Sequence, residues 1–241
     1  MNAILSNGFA VCRNVLSPAD LFGLRDAITD TIDRTARALR TPFDESAPGA
    51  PLEQRLEQVA ARDAAYATAL FHAVMADVHR DARLQGLAAH GELGGVVARA
   101  LGSFRGTGQM IRPRAVVPSL LHAASSWHQD VLRPSTTPGS CGSVRLACWI
   151  PLADVDEQSG ALEVIPGAWN APLPHVTNDA GQFHIDEEHL PLEARCTVPL
   201  RAGDVLILDR FVPHRSLPVR PGQARWAIVM WVKAAARGSE V

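Results

Sequence analysis

The sequence is poor in several things at once: one tyrosine, aromatic residues at 5% overall, and a single lysine, Lys233, among 23 basic side chains. Its four cysteines, Cys12, Cys141, Cys148 and Cys196, form no C-x-x-C pair. Neither a zinc knuckle nor a disulfide framework is therefore suggested, and scattered thiols of this kind point to a reducing compartment. Charge of one sign is missing too. The 23 basic residues face 25 acidic ones, leaving a net charge of -2. A nucleic-acid partner is not expected from such a balance, because that affinity comes from neutralising phosphates with a basic face. Long hydrophobic runs are absent: the longest, Trp226 to Val232, suits a buried strand and falls far short of the roughly 20 residues that a bilayer requires. The first residues lack the basic start and continuous apolar stretch of a signal peptide. These absences predict a cytoplasmic protein with no membrane or nucleic-acid partner, and they leave its oligomeric state open.

What is present is an ordinary globular composition, 47% apolar over 241 residues, enough to bury a sizeable core without staples. No internal repeat or low-complexity segment breaks the chain, so one domain is expected over residues 1–241. Gly8 to Leu16 reads as a short strand. Ser17-Pro18-Ala19-Asp20 then opens a helix, with Ser17 as N-cap, Pro18 at the first helical position, and Leu21, Leu24, Ile28 and Ile32 at helical spacing. Two more helices are predicted, near Leu52 to Ala76 and Leu87 to Leu101. Past Gly102, glycines, prolines and short apolar runs predict about eight strands: Gln109–Val117, Ser126–Leu132, Ser143–Leu152, Ala161–Ile165, Arg195–Leu200, Asp204–Leu208, Val212–Leu217 and Arg225–Lys233. The expected fold is α+β, with a mainly helical part over 1–101 and a jelly-roll or barrel core over 102–241. Thr41–Pro51, Arg133–Ser143 and Asn170–Ala194 are polar connections expected to border a site.

Ser126-Trp127-His128-Gln129-Asp130 places an imidazole and a carboxylate two apart on a predicted strand, so both project from one face. His214 supplies a second imidazole. Two histidines and one carboxylate make the facial triad of non-haem Fe(II) oxygenases, which leaves positions open for cosubstrate and oxygen. His-x-Asp alone is weak evidence in a chain with nine histidines, and His79-Arg80-Asp81 and His184-Ile185-Asp186 are further copies. Context separates them: His128 and Asp130 are flanked by Trp127, Val131 and Leu132, whereas His184 and Asp186 lie in a polar stretch. His79 and Asp81 follow a predicted helix, on which residues two apart diverge.

Arg225 follows His214 by eleven residues. Pro221-Gly222 is a turn signal, and a hairpin tipped there would set Pro218 opposite Arg225. By strand parity His214, Ser216, Pro218 and Arg225 would then share one face, with Arg225 four residues, or about 13 Å, beyond the level of His214. A five-carbon dicarboxylate chelating a metal at one end could reach an arginine fork there. Trp231 would share the inner face, and Trp226 the opposite one.

Taken together, His128-Gln129-Asp130, Ala147-Cys148-Trp149-Ile150-Pro151-Leu152, the stretch from Asp154 through Ser159-Gly160-Ala161-Leu162 to Pro166-Gly167, Ala202-Gly203-Asp204-Val205-Leu206, His214-Arg215-Ser216 and Arg225 resemble the phytanoyl-CoA dioxygenase family. The N-terminal Asn7-Gly8-Phe9-Ala10-Val11 and its helix are also similar. The resemblance implies a double-stranded β-helix (cupin-like jelly roll) and a dioxygenase dependent on Fe(II), 2-oxoglutarate and O2. His128, Asp130 and His214 would bind iron, Arg225 and Ser216 the far carboxylate of 2-oxoglutarate, and Trp149 would pack near the cosubstrate. The expected reaction is oxidation, by hydroxylation, of an unactivated C–H bond of a small molecule such as a secondary metabolite; desaturation, ring closure and epimerisation start from the same chemistry. A non-catalytic β-barrel that binds a metal or ligand is the reading from another class.

Overall fold

The computed structural model of the chain describes residues 6–39, 47–102, 104–120, 125–131, 144–177 and 183–236. The expected connection at 133–143 lies outside the described residues, as do parts of the other two (41–46 and 178–182).

Local signals at the N-terminus act as their chemistry dictates. Helix α1 (Pro18–Ala38) opens on a reciprocal cap: the Asp20 amide donates to the Ser17 hydroxyl oxygen at 3.2 Å, and the Ser17 amide donates to the Asp20 carboxylate at 2.8 Å. Its Leu24, Ile28, Thr31 and Ile32 face are buried. The helix expected over 52–76 is two helices, α2 (Leu52–Arg62) and α3 (Ala64–Asp77). Asp63 between them is extended and accepts from the Tyr66 amide, so a side-chain cap competes with continuation and restarts the helix. Short α4 (Ala82–Gln85) follows, and the helix expected over 87–101 shortens to α5 (Gly91–Leu101), capped by His90.

Among the described residues, ten strands follow or precede these helices: β1 (Phe9–Cys12), β2 (Phe104–Val116), β3 (Val144–Pro151), β4 (Leu162–Val164), β5 (Val176–Thr177), β6 (Phe183–His184), β7 (Cys196–Val198), β8 (Val205–Asp209), β9 (His214–Ser216) and β10 (Arg225–Ala236). All pairings are antiparallel. They build a five-stranded sheet, β1-β8-β3-β10-β2, a three-stranded sheet, β7-β4-β9, and the small β5-β6 ladder. The architecture is therefore mixed helix and antiparallel sheet.

The central strands β8, β3 and β10 of the five-stranded sheet are buried on both faces, and strand alternation divides their residues. Leu146, Cys148, Ile150, Ile207, Trp226, Ile228 and Met230 join the helical residues Ile28, Ile32, Leu56 and Leu70 in one core. Ala147, Trp149, Leu206, Leu208, Ala227 and Val229 turn to the other side, where Leu162, Val164 and Val198 of the smaller sheet meet them. The helices are fastened to the sheet by polar contacts: Arg25 pairs with Glu53 and donates to the Leu152 carbonyl at 2.8 Å, while the Ala224 amide donates to the Glu53 carbonyl at 2.6 Å. That last bond fixes the chain one residue before β10.

The expected hairpin between His214 and Arg225 does not form. Strand β9 pairs with β4 in the smaller sheet, whereas β10 pairs with β2 and β3 in the larger one. Between them the chain follows 158–161: the Leu217 amide donates to the Ala161 carbonyl and the Arg220 amide to the Gln158 carbonyl. Prolines at 213, 218 and 221 remove amides that a hairpin ladder would need, and the chain instead crosses from one sheet to the other. No helix among the described residues is long and apolar enough to cross a membrane.

Candidate active site

A cavity of about 500 Å³ opens between the two sheets. Its floor combines Ala147, Trp149, Leu208 and Val229 of the larger sheet with Leu162, His214 and Ser216 of the smaller, and Met110 and Arg114 of edge strand β2 reach it from the side.

His128 enters this cavity without the strand expected for 126–132. Among the described residues of that stretch only His128 pairs, in an isolated bridge with His214: the His128 amide donates to the His214 carbonyl at 3.0 Å and the reverse bond is 2.9 Å. The bridge brings the two imidazoles together, ring centres 4.3 Å apart. Asp130 completes the group, with Oδ2 at 3.8 Å from His214 Nε2, and one donor atom from each of the three residues lies within 4.8 Å of the others.

Both rings are held in one tautomer. His128 Nδ1 sits 2.8 Å from the Ser126 carbonyl and His214 Nδ1 3.0 Å from that of Val212. A carbonyl oxygen only accepts, so each Nδ1 carries a hydrogen, and Nε2 is the nitrogen each ring turns to the cavity. This is the arrangement by which a backbone carbonyl orients a metal-binding histidine. Burial, and then the neighbouring His214, push the pKa of His128 well below the usual imidazole value. The ring is neutral and available to a cation at neutral pH.

Gln129, between the two inward residues, holds the segment in place. Its side chain is buried, donates to the Phe211 carbonyl at 2.5 Å and accepts from the Leu173 amide at 2.7 Å, while its own amide donates to His175 Nε2. Sequence reasoning passed over Gln129; its place between His128 and Asp130 was the only signal.

Arg225 lies deeper, 5% exposed, with its guanidinium over the Trp149 ring at 5.4 Å. Nη2 donates to the Ser216 hydroxyl oxygen at 2.9 Å, and Ser125, another residue the sequence did not single out, hydrogen-bonds Ser216 from the other side. Nε and Nη1 of Arg225 find no partner among the described residues. Burial, followed by the charge of Arg114, pushes the Arg225 pKa down to about 10. Gly160 makes room here: its φ is +81°, and a Cβ would stand 2.7 Å from Val219 Cγ2 and 3.3 Å from Arg225 Nε.

The other His-x-Asp copies are used differently. Asp81 caps α4 and pairs with Arg83, with half-buried His79 in the single turn of 3-10 helix before it. His184 and Asp186 pair with each other at 3.3 Å, and Asp186 also clusters with Glu188 and His189 on the surface. Trp231 lines the cavity and Trp226 the opposite core, as strand parity predicts.

The donor set fits a divalent cation and the unmatched arginine fits a carboxylate, and a family profile covers both. The profile "Phytanoyl-CoA dioxygenase (PhyH)" matches residues 4–227. The chain belongs to the phytanoyl-CoA dioxygenase family. Membership makes it an enzyme of the non-haem iron, 2-oxoglutarate-dependent oxygenase type, and the match spans His128, Asp130, Trp149, His214, Ser216 and Arg225. Among solved structures, the non-heme alpha ketoglutarate-dependent carbocyclase SnoK from nogalamycin biosynthesis is 20% identical with a TM-score of 0.60, over 97% of this chain and 83% of that one. EvdO2 from Micromonospora carbonacea var. aurantiaca, complexed with 2-oxoglutarate, is 19% identical with a TM-score of 0.55, over 99% and 91%. The epimerase SnoN, in complex with Fe3+, alpha ketoglutarate and nogalamycin RO, is 18% identical with a TM-score of 0.57, over 99% and 84%. These likenesses are of fold. No curated protein sequence matches the chain significantly.

Proposed function

We propose that this protein is a cytoplasmic Fe(II)- and 2-oxoglutarate-dependent dioxygenase that hydroxylates an unactivated C–H bond of a small molecule. We read the paired sheets as a double-stranded β-helix and the helical layer with them as one domain over 1–241. The observation that carries the functional reading is a single cavity holding three converging metal-type donors and a buried arginine with two unmatched N–H groups.

In this reading His128, Asp130 and His214 hold the iron. When bound, the iron couples decarboxylation of 2-oxoglutarate by O2, giving succinate and CO2, to oxidation of the substrate. Everything else is the chain's own work. The two backbone carbonyls accept from Nδ1 of each histidine, so each ring turns its Nε2 toward the metal. Asp130 brings the one carboxylate charge. Arg225 receives the far carboxylate of 2-oxoglutarate on its free N–H groups, Ser216 holds the guanidinium in orientation, and Trp149 supports its face. Apolar walls from Leu162, Leu208 and Val229 keep bulk water from these charges.

The experiment is succinate formation from 2-oxoglutarate with added Fe(II) and O2, followed by product mass. A binding protein makes no succinate, which would overturn the reading. Hydroxylation adds one oxygen atom; a product lacking hydrogens, or an isomer of unchanged mass, would instead assign desaturation, ring closure or epimerisation.

A further inference from the structure

Arg114 has no part in the assignments above, yet it opens on the same cavity. It sits on edge strand β2 opposite Ala227, one same-face step from Val116, which is opposite Arg225. Its guanidinium lies 5.0 Å from the centre of the Trp231 ring, on the side away from Arg225. No carboxylate among the described residues forms an ion pair with it. Asp130 acts on it from a distance, while Arg112 adds like charge. Unlike Arg225 the residue as a whole remains solvent-accessible, although burial of its guanidinium is the first cause that lowers its pKa.

The charges of the loaded site can be followed group by group. A divalent iron is balanced by Asp130 and the chelating carboxylate of 2-oxoglutarate, and Arg225 by the far carboxylate. Arg114 is left over. A guanidinium stacked on an aromatic ring keeps its edge free for a planar anion. Around it, Met110, Val131, Phe183 and Trp231 offer apolar and aromatic surface.

Resting on the dioxygenase reading, we propose that Arg114 receives an anionic group of the substrate, so that the substrate class is an organic acid with an apolar body. The acid group docks on Arg114 and the body extends past Trp231 toward the metal donors. Arg114 is thereby a specificity-determining residue.

The test is calorimetric titration of the full-length protein loaded with Ni(II) and 2-oxoglutarate, in which no turnover occurs. The probes are phenylacetate, 4-phenylbutyrate, decanoate and phenyl phosphate, each paired with its neutral amide or alcohol. At least one acid should bind about tenfold more tightly than its neutral counterpart, a charge-assisted fork being roughly twice as strong as a neutral hydrogen bond. Arg114→Gln should erase that preference and Arg114→Lys retain part of it, with 2-oxoglutarate affinity unchanged in both. A preference that survives Arg114→Gln, or no acid binding better than its partner, overturns the proposal. So does a steep loss of 2-oxoglutarate affinity in Arg114→Gln, which would give this arginine to the cosubstrate. Ni(II) and 2-oxoglutarate binding to the unaltered protein is measured first. Its failure would overturn the dioxygenase reading itself, and is distinguishable from failure of acid recognition alone.

Discussion

Strand β10 presents two different environments from one run of backbone. On the helical side Trp226, Ile228, Met230 and Val232 are at most 2% exposed and contribute only packing. On the cavity side the alternating residues are Arg225, Ala227, Val229 and Trp231: a charge, a small residue, an aliphatic wall and a half-buried aromatic carrying Arg114. Period-two alternation lets one strand serve stability and chemistry with separate side chains. Substitutions on the two faces should therefore fail in different ways.

The sharpest contrast is expected at His128, Asp130 and His214, the proposed metal donors. Alanine at His128, Asp130 or His214 should abolish Fe(II) binding and turnover while leaving the fold intact, whereas His184→Ala should retain iron. Metal stoichiometry by plasma emission, beside circular dichroism, checks this; retention of iron in His128→Ala with loss in His184→Ala would reverse the assignment.

Arg225→Ala comes next. Truncating one partner of a buried charge pair costs about 2 to 5 kcal/mol, so the 2-oxoglutarate requirement should rise about thirty- to several-thousand-fold with Fe(II) binding nearly intact. Lysine should rescue only part of the loss, since it lacks the bidentate fork. A folded Arg225→Ala protein with unchanged 2-oxoglutarate affinity would break the division between the faces.

On the helical face, Trp226→Ala should cost about 3 to 5 kcal/mol of stability. Denaturant titration measures it, and the folded fraction should keep its 2-oxoglutarate affinity. If affinity falls with stability, the faces are coupled rather than separate.

The smallest effect is expected in the segment over 170–194, which the Gln129 and His175 contacts tie to the metal-donor stretch. Its amide hydrogen exchange should slow when cosubstrate binds, while α1 exchange stays unchanged. Equal exchange in both states would remove the segment from the site.

The same two faces show why some features were legible in sequence and others were not. Alternation in 225–233 placed Trp231 and Trp226 on opposite sides, and Ser17-Pro18 with Asp20 marked the start of α1, because both signals are local. The His128, Asp130 and His214 cluster was legible as chemistry, although its geometry was not: the expected strand at 126–132 contributes one bridge residue. The hairpin placing Arg225 was wrong, and yet Arg225 meets Ser216, because two facing sheets bring together what one ladder was thought to. The break at Asp63 was missed since capping competed with an unbroken apolar period. Gln129, Ser125 and Arg114 act through partners distant in sequence, and no local pattern announces them.

On the proposed reading, the Arg225 N–H groups that find no partner among the described residues do more than recognise a cosubstrate. Burying a guanidinium whose N–H groups go unmatched costs stability relative to an apolar side chain of similar volume. A ligand that meets those donors then enters the folding equilibrium itself, raising stability with the logarithm of its concentration. On the proposed reading, the supply of 2-oxoglutarate bears on how long each molecule stays folded as well as on how fast it works.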